Sequence, residues 1–131
     1  MSRTVGAPAM AELVGKRILL LEDEFLVAEM ASDMLQELGA KVVGPALRLA
    51  DGLAMARSEA LDAALLDVNI AGERSEPVAA ALAERCIPFV FATGYGRQGL
   101  ATTGRPVLDK PYTRPQLERS LTMLLNGGGK G

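Results

Sequence analysis

The chain has no histidine and no tryptophan, a single cysteine, and only two tyrosines and three phenylalanines. Without histidine there is no imidazole nucleophile, no imidazole base and no histidine-bound metal. One cysteine excludes an internal disulfide and any cysteine-cluster zinc site. Cys86 follows a helical stretch and precedes Ile87-Pro88, and is read as a small buried hydrophobe. With aromatics so scarce, Ala, Leu and Val must fill the interior, with Met as filler. No apolar run approaches the length of a membrane span, and the first residues lack the apolar core of a signal peptide. No membrane association is expected, and the cytoplasm is the expected location. A net charge of −2 leaves no basic stripe of the kind a nucleic-acid surface needs, so no nucleic-acid partner is expected.

What is present fits one domain: 131 residues, almost half of them hydrophobic. The central stretch is Ala63-Ala64-Leu65-Leu66-Asp67, an apolar run that reads as a strand buried on both faces and ends on a carboxylate. The first strand, 17–21, runs into Glu22-Asp23-Glu24, which open a helix. Val27, Met30, Met34 and Leu38 mark its buried face and Gly39 its stop. A second strand, 40–44, is ended by Gly44-Pro45. A second helix from about Ala50 to Glu59 turns Leu53, Ala56 and Ala60 to one side. After the central strand, Ile70 to Ser75 is a loop with Gly72 as its turn residue. A third helix runs from Glu76 or Pro77 to Arg85 with Val78 and Leu82 inward. The fourth strand is 88–92. Gly94 to Gly104 holds four glycines, so any helix there is weak and the segment is expected to be mobile. Val107-Leu108 is a fifth strand. Thr113-Arg114-Pro115-Gln116 has capping-box spacing and starts a last helix with Leu117, Leu121 and Leu124 on one face.

This alternation predicts an α/β fold: a doubly wound five-stranded parallel sheet, order 2-1-3-4-5, with helices on both faces, in the manner of flavodoxin. Residues 1–14 are expected to be a flexible arm, 15–126 the domain, and 127–131 a flexible glycine-rich tail with no output domain attached.

The order places strands one and three side by side, so Glu22, Asp23 and Asp67 meet at one rim. Two like charges 4 Å apart cost about 4 kcal/mol at an effective dielectric of 20. A raised pKa or a bound cation relieves that repulsion. Oxygen-only ligands at a rim open to water favour Mg²⁺. A metal-held carboxylate can attack phosphorus and become an acyl phosphate. The Lys110 ammonium and the Thr93 hydroxyl, each after a strand, can then take phosphoryl oxygens. Each residue has a plainer reading when taken singly. The acids can cap a helix, Asp67 can close a loop, Thr93-Gly94 can be a turn, and Lys110 can be solvated. Their joint placement on successive strand ends is what favours a shared site.

The residues Glu22-Asp23-Glu24, Leu65-Leu66-Asp67, Thr93 and Asp109-Lys110-Pro111-Tyr112 resemble those of a response-regulator receiver domain, the phospho-accepting module of two-component signalling. The match spans about Lys16 to Leu125. The resemblance implies that Asp67 is the phosphoacceptor. It implies Mg²⁺ held by Glu22, Asp23, Asp67 and the backbone carbonyl of Asn69, and Thr93 and Lys110 on the phosphoryl oxygens. It also implies a cis peptide before Pro111. Phe91-Ala92-Thr93-Gly94-Tyr95 further resembles the FATGUY subclass. That implies a stand-alone receiver working with a histidine kinase, of the HWE type or related, or with a phosphotransfer protein, and then with a downstream target. Such a domain catalyses only its own phosphorylation and dephosphorylation. Three departures bear on signalling. Val107 stands where most receivers carry a switching Tyr or Phe, Gly94 where most carry Ala, and Ala71 where most carry Pro. Ordering of 94–104, with Tyr95 taking over part of the missing aromatic's task, is the expected substitute. The free face of the last helix and this segment are the expected contact region. The alternatives are a pseudo-receiver that binds without being phosphorylated and, further off, an Asp-nucleophile phosphatase of another doubly wound fold.

Overall fold

Five short apolar runs, each followed by a chain reversal, pair side by side because continuous hydrophobic strands need cover on both faces. In the computed structural model, which describes residues 13–94 and 107–127, the sheet strands are β1 (Arg17–Leu21), β2 (Lys41–Ala46), β3 (Ala63–Asp67), β6 (Phe89–Thr93) and β7 (Val107–Asp109). They form one parallel sheet in the order β2-β1-β3-β6-β7. This is the expected 2-1-3-4-5 order once the short strands β4 (Asn69–Ile70) and β5 (Glu73–Arg74) are set apart. Among the described residues three helices lie in crossovers, α1 (Phe25–Glu37), α2 (Leu49–Ser58) and α3 (Glu76–Glu84), and α4 (Arg114–Gly127) follows the last strand.

Side chains alternate along each strand, so one sheet builds two cores. Ile18, Leu20, Leu65, Val90 and Leu108 face α1 and α4, where Ala31, Leu35, Leu117 and Leu121 meet them. Leu19, Leu21, Leu66, Phe89 and Phe91 face α2 and α3, where Ala56, Val78 and Leu82 meet them. The rings of Phe89 and Phe91 touch edge to face, 5.5 Å apart. Leu13, placed by its sequence in the N-terminal arm, is fully buried in the first core. Gly127, placed in the tail, ends the last helix. The remaining arm, 1–12, and the rest of the tail, 128–131, lie outside the described residues, as does 95–106 with Tyr95 and almost all of the segment expected to be mobile.

Several local expectations are corrected. The buried line of α1 is Ala28, Ala31, Leu35 and Leu38, one residue round from Val27, Met30 and Met34. Alanines let the helix lie close to the sheet. The bulkier Val27 and Met34 flank the contact, and Met30 is exposed. Gly52 and Ala56 make the contact of α2, while Ala60 lies exposed beyond its end. A side chain at Gly52 would bring its Cβ to 2.7 Å from Leu21 Cδ1. Strand β2 does not stop at Gly44-Pro45 but runs through a bulge to Ala46, where Glu22 N–H reaches the Ala46 carbonyl. An edge strand tolerates proline because one side of it is unpaired. The Gly44-Pro45 peptide is cis, as is Lys110-Pro111, the one expected.

The stretch expected to be a loop, 70–75, is mostly a tight antiparallel hairpin in which Asn69 pairs with Arg74 and Ile70 with Glu73. Ala71 and Gly72 form its turn at φ +52° and +87°, the two positive angles of a type I′ turn. Proline, fixed near φ −65°, cannot occupy position 71 of such a turn.

Cys86 is exposed, not buried. It follows the C-cap of α3 at φ +60°, with its N–H on the Ala83 carbonyl and Ile87 N–H on Leu82. This is the Schellman pattern, in which a left-handed residue, usually glycine, ends the helix and the next hydrophobe folds back. Gly39 occupies the same position after α1, as its sequence placement implied.

Candidate functional site

All five sheet strands run the same way, so their carboxyl ends share one rim. Glu22 follows β1 and is buried, and Asp23 beside it is half-buried. Asp67 is the last residue of β3 and also buried. Ligand oxygens of these three acids lie within 4.8 Å of one another. Thr93 closes β6 with its side chain buried. Lys110 follows β7, and its backbone N–H binds the Thr93 carbonyl at 2.9 Å, which ties the two strand ends together. Asn69 is half-buried on the hairpin, and Gly94 lies exposed just after β6. Val107 is half-buried in β7, paired with Phe91, and packs against the α2–α3 core. The structure thus brings together Glu22, Asp23, Asp67 and Lys110, with Asn69 and Gly94 lining the same hollow of about 550 Å³.

The electrostatics follow from crowding. Lys110 Nζ donates to Glu22 Oε1 at 3.0 Å and to Asp67 Oδ2 at 3.1 Å. Burial pushes the Asp67 carboxyl above the ordinary carboxylate range; the Lys110 charge opposes this, and Asp23 adds to it. Burial likewise raises Glu22, against hydrogen bonds from Glu24 N–H and Lys110. Burial works against the Lys110 ammonium, but the bond to Glu22 and the charges of Asp67 and Glu22 outweigh it and hold its pKa above the usual lysine value. Burial, then the charges of Glu22 and Asp67, push the Tyr112 phenol upward, so it stays neutral.

Two features escaped the sequence. Ala71 N–H donates to Asp23 Oδ2 at 2.8 Å, a link from the hairpin turn to a residue 48 positions away. A backbone donor leaves no mark in residue type, and Gly72 was the only visible clue to the turn. The second is a largely apolar groove of about 310 Å³ beside the rim, lined by Val27, Met30, Met34, Pro111 and Tyr112 and sharing Glu24 and Lys110 with the site. It followed from the one-residue rotation of α1 and could not be read without it.

The donor set is all oxygen, from two buried carboxylates and one half-buried, at a hollow open to water; a small hard divalent cation such as Mg²⁺ fits it. Lys110 supplies positive charge between two of the three acids but leaves Asp23 outside its reach.

No protein-family model and no curated protein matches the chain. Solved structures do. The solution structure of SdrG from Sphingomonas melonis Fr1 is 44% identical, superposes with a TM-score of 0.76, and is matched over 87% of this chain and 98% of that one. The BeF3-activated conformation of SdrG from Pseudomonas melonis Fr1 is 43% identical, with a TM-score of 0.73 over 86% of this chain and 98% of that one. A CheY-like response regulator receiver domain protein from Methanospirillum hungatei JF-1 shares the fold at 22% identity, with a TM-score of 0.74 over 88% and 98%. Sheet order, acid-lined rim and relatives together define the class, and the chain belongs to the CheY-like response-regulator receiver domains. Among the described residues no helix is long and apolar enough to cross a membrane.

Proposed function

We propose that this receiver takes a phosphoryl group from a phosphohistidine donor onto Asp67 with Mg²⁺, and signals by protein contact or serves as a phosphate sink or relay. The observation that carries the reading is the buried Asp67 carboxylate at a strand end, held by Lys110 and crowded by two further acids. The cation would be held by Glu22, Asp23, Asp67 and the Asn69 carbonyl, and would supply positive charge against the transferring phosphoryl oxygens. A carboxylate oxygen of Asp67 attacks phosphorus, the bond from phosphorus to the donor nitrogen breaks, and an acyl phosphate remains on Asp67. Lys110 already places its ammonium on Asp67 and takes one phosphoryl oxygen; Thr93, on the adjacent strand, offers its hydroxyl to another. Hydrolysis of the acyl phosphate restores the carboxylate, and no separate metabolite is turned over.

The donor is a sensor histidine kinase, of the HWE type if the FATGUY likeness holds, or a histidine phosphotransfer protein. Phe25, Leu26 and Met30 at the start of α1 are exposed beside the rim, and their apolar surface suits a protein donor better than a small one. With Val107 in the place of the switching aromatic, the phosphoryl group is read out through Thr93 and Gly94, with 94–104 and its Tyr95 as the responding segment. Unchanged hydrogen exchange across that segment on activation would exclude this route.

Intact-mass measurement after incubation with acetyl phosphate and Mg²⁺ tests the central step. One added phosphoryl group is expected, absent without Mg²⁺ and absent in Asp67→Asn. An unmodified chain that also shows no Mg²⁺-dependent response to beryllofluoride would refute the reading in favour of a pseudo-receiver; one relative has been solved in a BeF3-activated conformation.

A further inference from the structure

A metal-binding carboxylate works only if something orients it, and hydrogen-bonding partners of ligands contribute strongly to metal affinity. Lys110 orients Glu22 and Asp67. It does not reach Asp23, which is half-buried and follows a strand end. The group that reaches Asp23 is the backbone N–H of Ala71, at the turn of the β4–β5 hairpin, 2.8 Å from Oδ2.

Several features make this a constructed contact. The hairpin starts two residues after Asp67, so the chain leaving one acid folds back to touch another. Ile70 is buried and anchors the arm, and Ser75 N–H closes its base on the Val68 carbonyl at 2.9 Å. The ladder of the hairpin leaves the first amide of the turn to Asp23, and Ala71 holds φ +52° there against its own preference. A proline at this position, as most receivers carry, has no N–H to donate.

We infer that the Ala71–Gly72 turn is a positioning element for Asp23, whose N–H occupies one carboxylate oxygen and leaves the other directed at the cation. The inference rests on the metal role of Asp23 proposed above, and it adds a determinant made of backbone instead of side chain. The turn conformation and the cation affinity are then coupled. What favours two positive φ angles at 71–72 tightens the metal site, and what opposes them loosens it.

Gly72 offers a clean perturbation, because its φ is +87° and no atom lies within 4 Å of where a Cβ would stand. Substitution there strains the turn without steric clash. The probe is Mn²⁺, with the free ion counted by electron paramagnetic resonance. Gly72→Val should weaken Mn²⁺ binding by roughly tenfold or more, the effect of losing a ligand's hydrogen-bond partner. Gly72→Asn, whose side chain tolerates the left-handed region, should stay close to wild type. Ala71→Gly keeps the N–H and removes strain, so it should bind at least as tightly. In the metal-free wild type the Ala71 amide should be protected from hydrogen exchange.

Equal affinity in the folded Val and Asn variants would overturn the inference while leaving the metal reading intact. So would weaker binding in Ala71→Gly, or an unprotected Ala71 amide. If Gly72→Val fails to fold, the Ala71→Gly titration and the exchange measurement decide. A wild-type chain that leaves all Mn²⁺ free would remove the metal reading and the inference together.

Discussion

Asp67→Asn should make the metal-free protein more stable, although it removes the proposed phosphoacceptor. Two neighbouring acids hold ligand oxygens within 4.8 Å of Asp67, and each repels it by at least about 3.5 kcal/mol at an effective dielectric of 20. Lys110, at 3.1 Å, returns about 5 kcal/mol on the same scale. The balance against the charge is about 2 kcal/mol before water at the open side screens it, so the amide should gain roughly 1–2 kcal/mol. Asn keeps an acceptor for Lys110, which limits the loss. Urea unfolding followed by far-ultraviolet circular dichroism suits a chain without tryptophan, run at pH 8 in EDTA. The pH dependence has a fixed sign. Burial raises the Asp67 carboxyl, so the folded state binds that proton more tightly than the unfolded state does. Stability from this group is therefore greatest in acid. It falls as pH rises from the ordinary carboxylate value through the raised one, and the full penalty stands above. The advantage of the Asn variant should grow across that window and disappear below it. Mg²⁺ at ten times its dissociation constant should return about 1.4 kcal/mol to the wild type and little to the variant. An Asn variant no more stable than wild type in EDTA at pH 8 would refute the claim that burial and the neighbouring acids together disfavour the Asp67 charge.

Three further outcomes are expected. Cys86→Gly should stabilise by roughly 0.5–1 kcal/mol, because relief at φ +60° exceeds the added chain entropy, and the native Cys86 thiol should react with a thiol reagent without unfolding; equal or lower stability of the glycine variant would count against the left-handed cap. Thr113→Ala should cost about 1 kcal/mol, because Thr113 Oγ1 accepts from Gln116 N–H and Thr113 N–H donates to the Gln116 side chain, and urea midpoints will show it. Leu65→Ala, in a strand with no exposed residue, should cost 2–5 kcal/mol, roughly, by the same assay.

The sheet was legible because its strands are short apolar runs, four of which end on or just before a polar residue, β2 being the exception; Leu65-Leu66-Asp67 marks both a strand and the acid that closes it. The meeting of Glu22, Asp23, Asp67 and Lys110 was legible for the same reason, since the carboxyl ends of parallel strands converge wherever the order is doubly wound. What stayed hidden depended on backbone and neighbours. The face of α1 was misplaced by one position because Val27, Met30 and Met34 are more hydrophobic than Ala28 and Ala31, while close packing on a sheet selects the smaller side chain. Gly44-Pro45 reads as a stop unless the strand is known to lie at an edge. Cys86 reads as core by composition, yet the turn that ends α3 holds it out in solvent. The Ala71–Asp23 bond involves a main-chain donor, and no substitution pattern within one sequence announces it.

The exposed Cys86 has a practical consequence. It is the sole thiol of the chain and lies before the amino end of β6, whereas Thr93 lies at the other end of that strand. A fluorophore or nitroxide attached there would sit one strand length, about 15 Å, from the acid rim. Such a label could follow tumbling and partner encounter in the native sequence, from the end of the sheet opposite the acid rim.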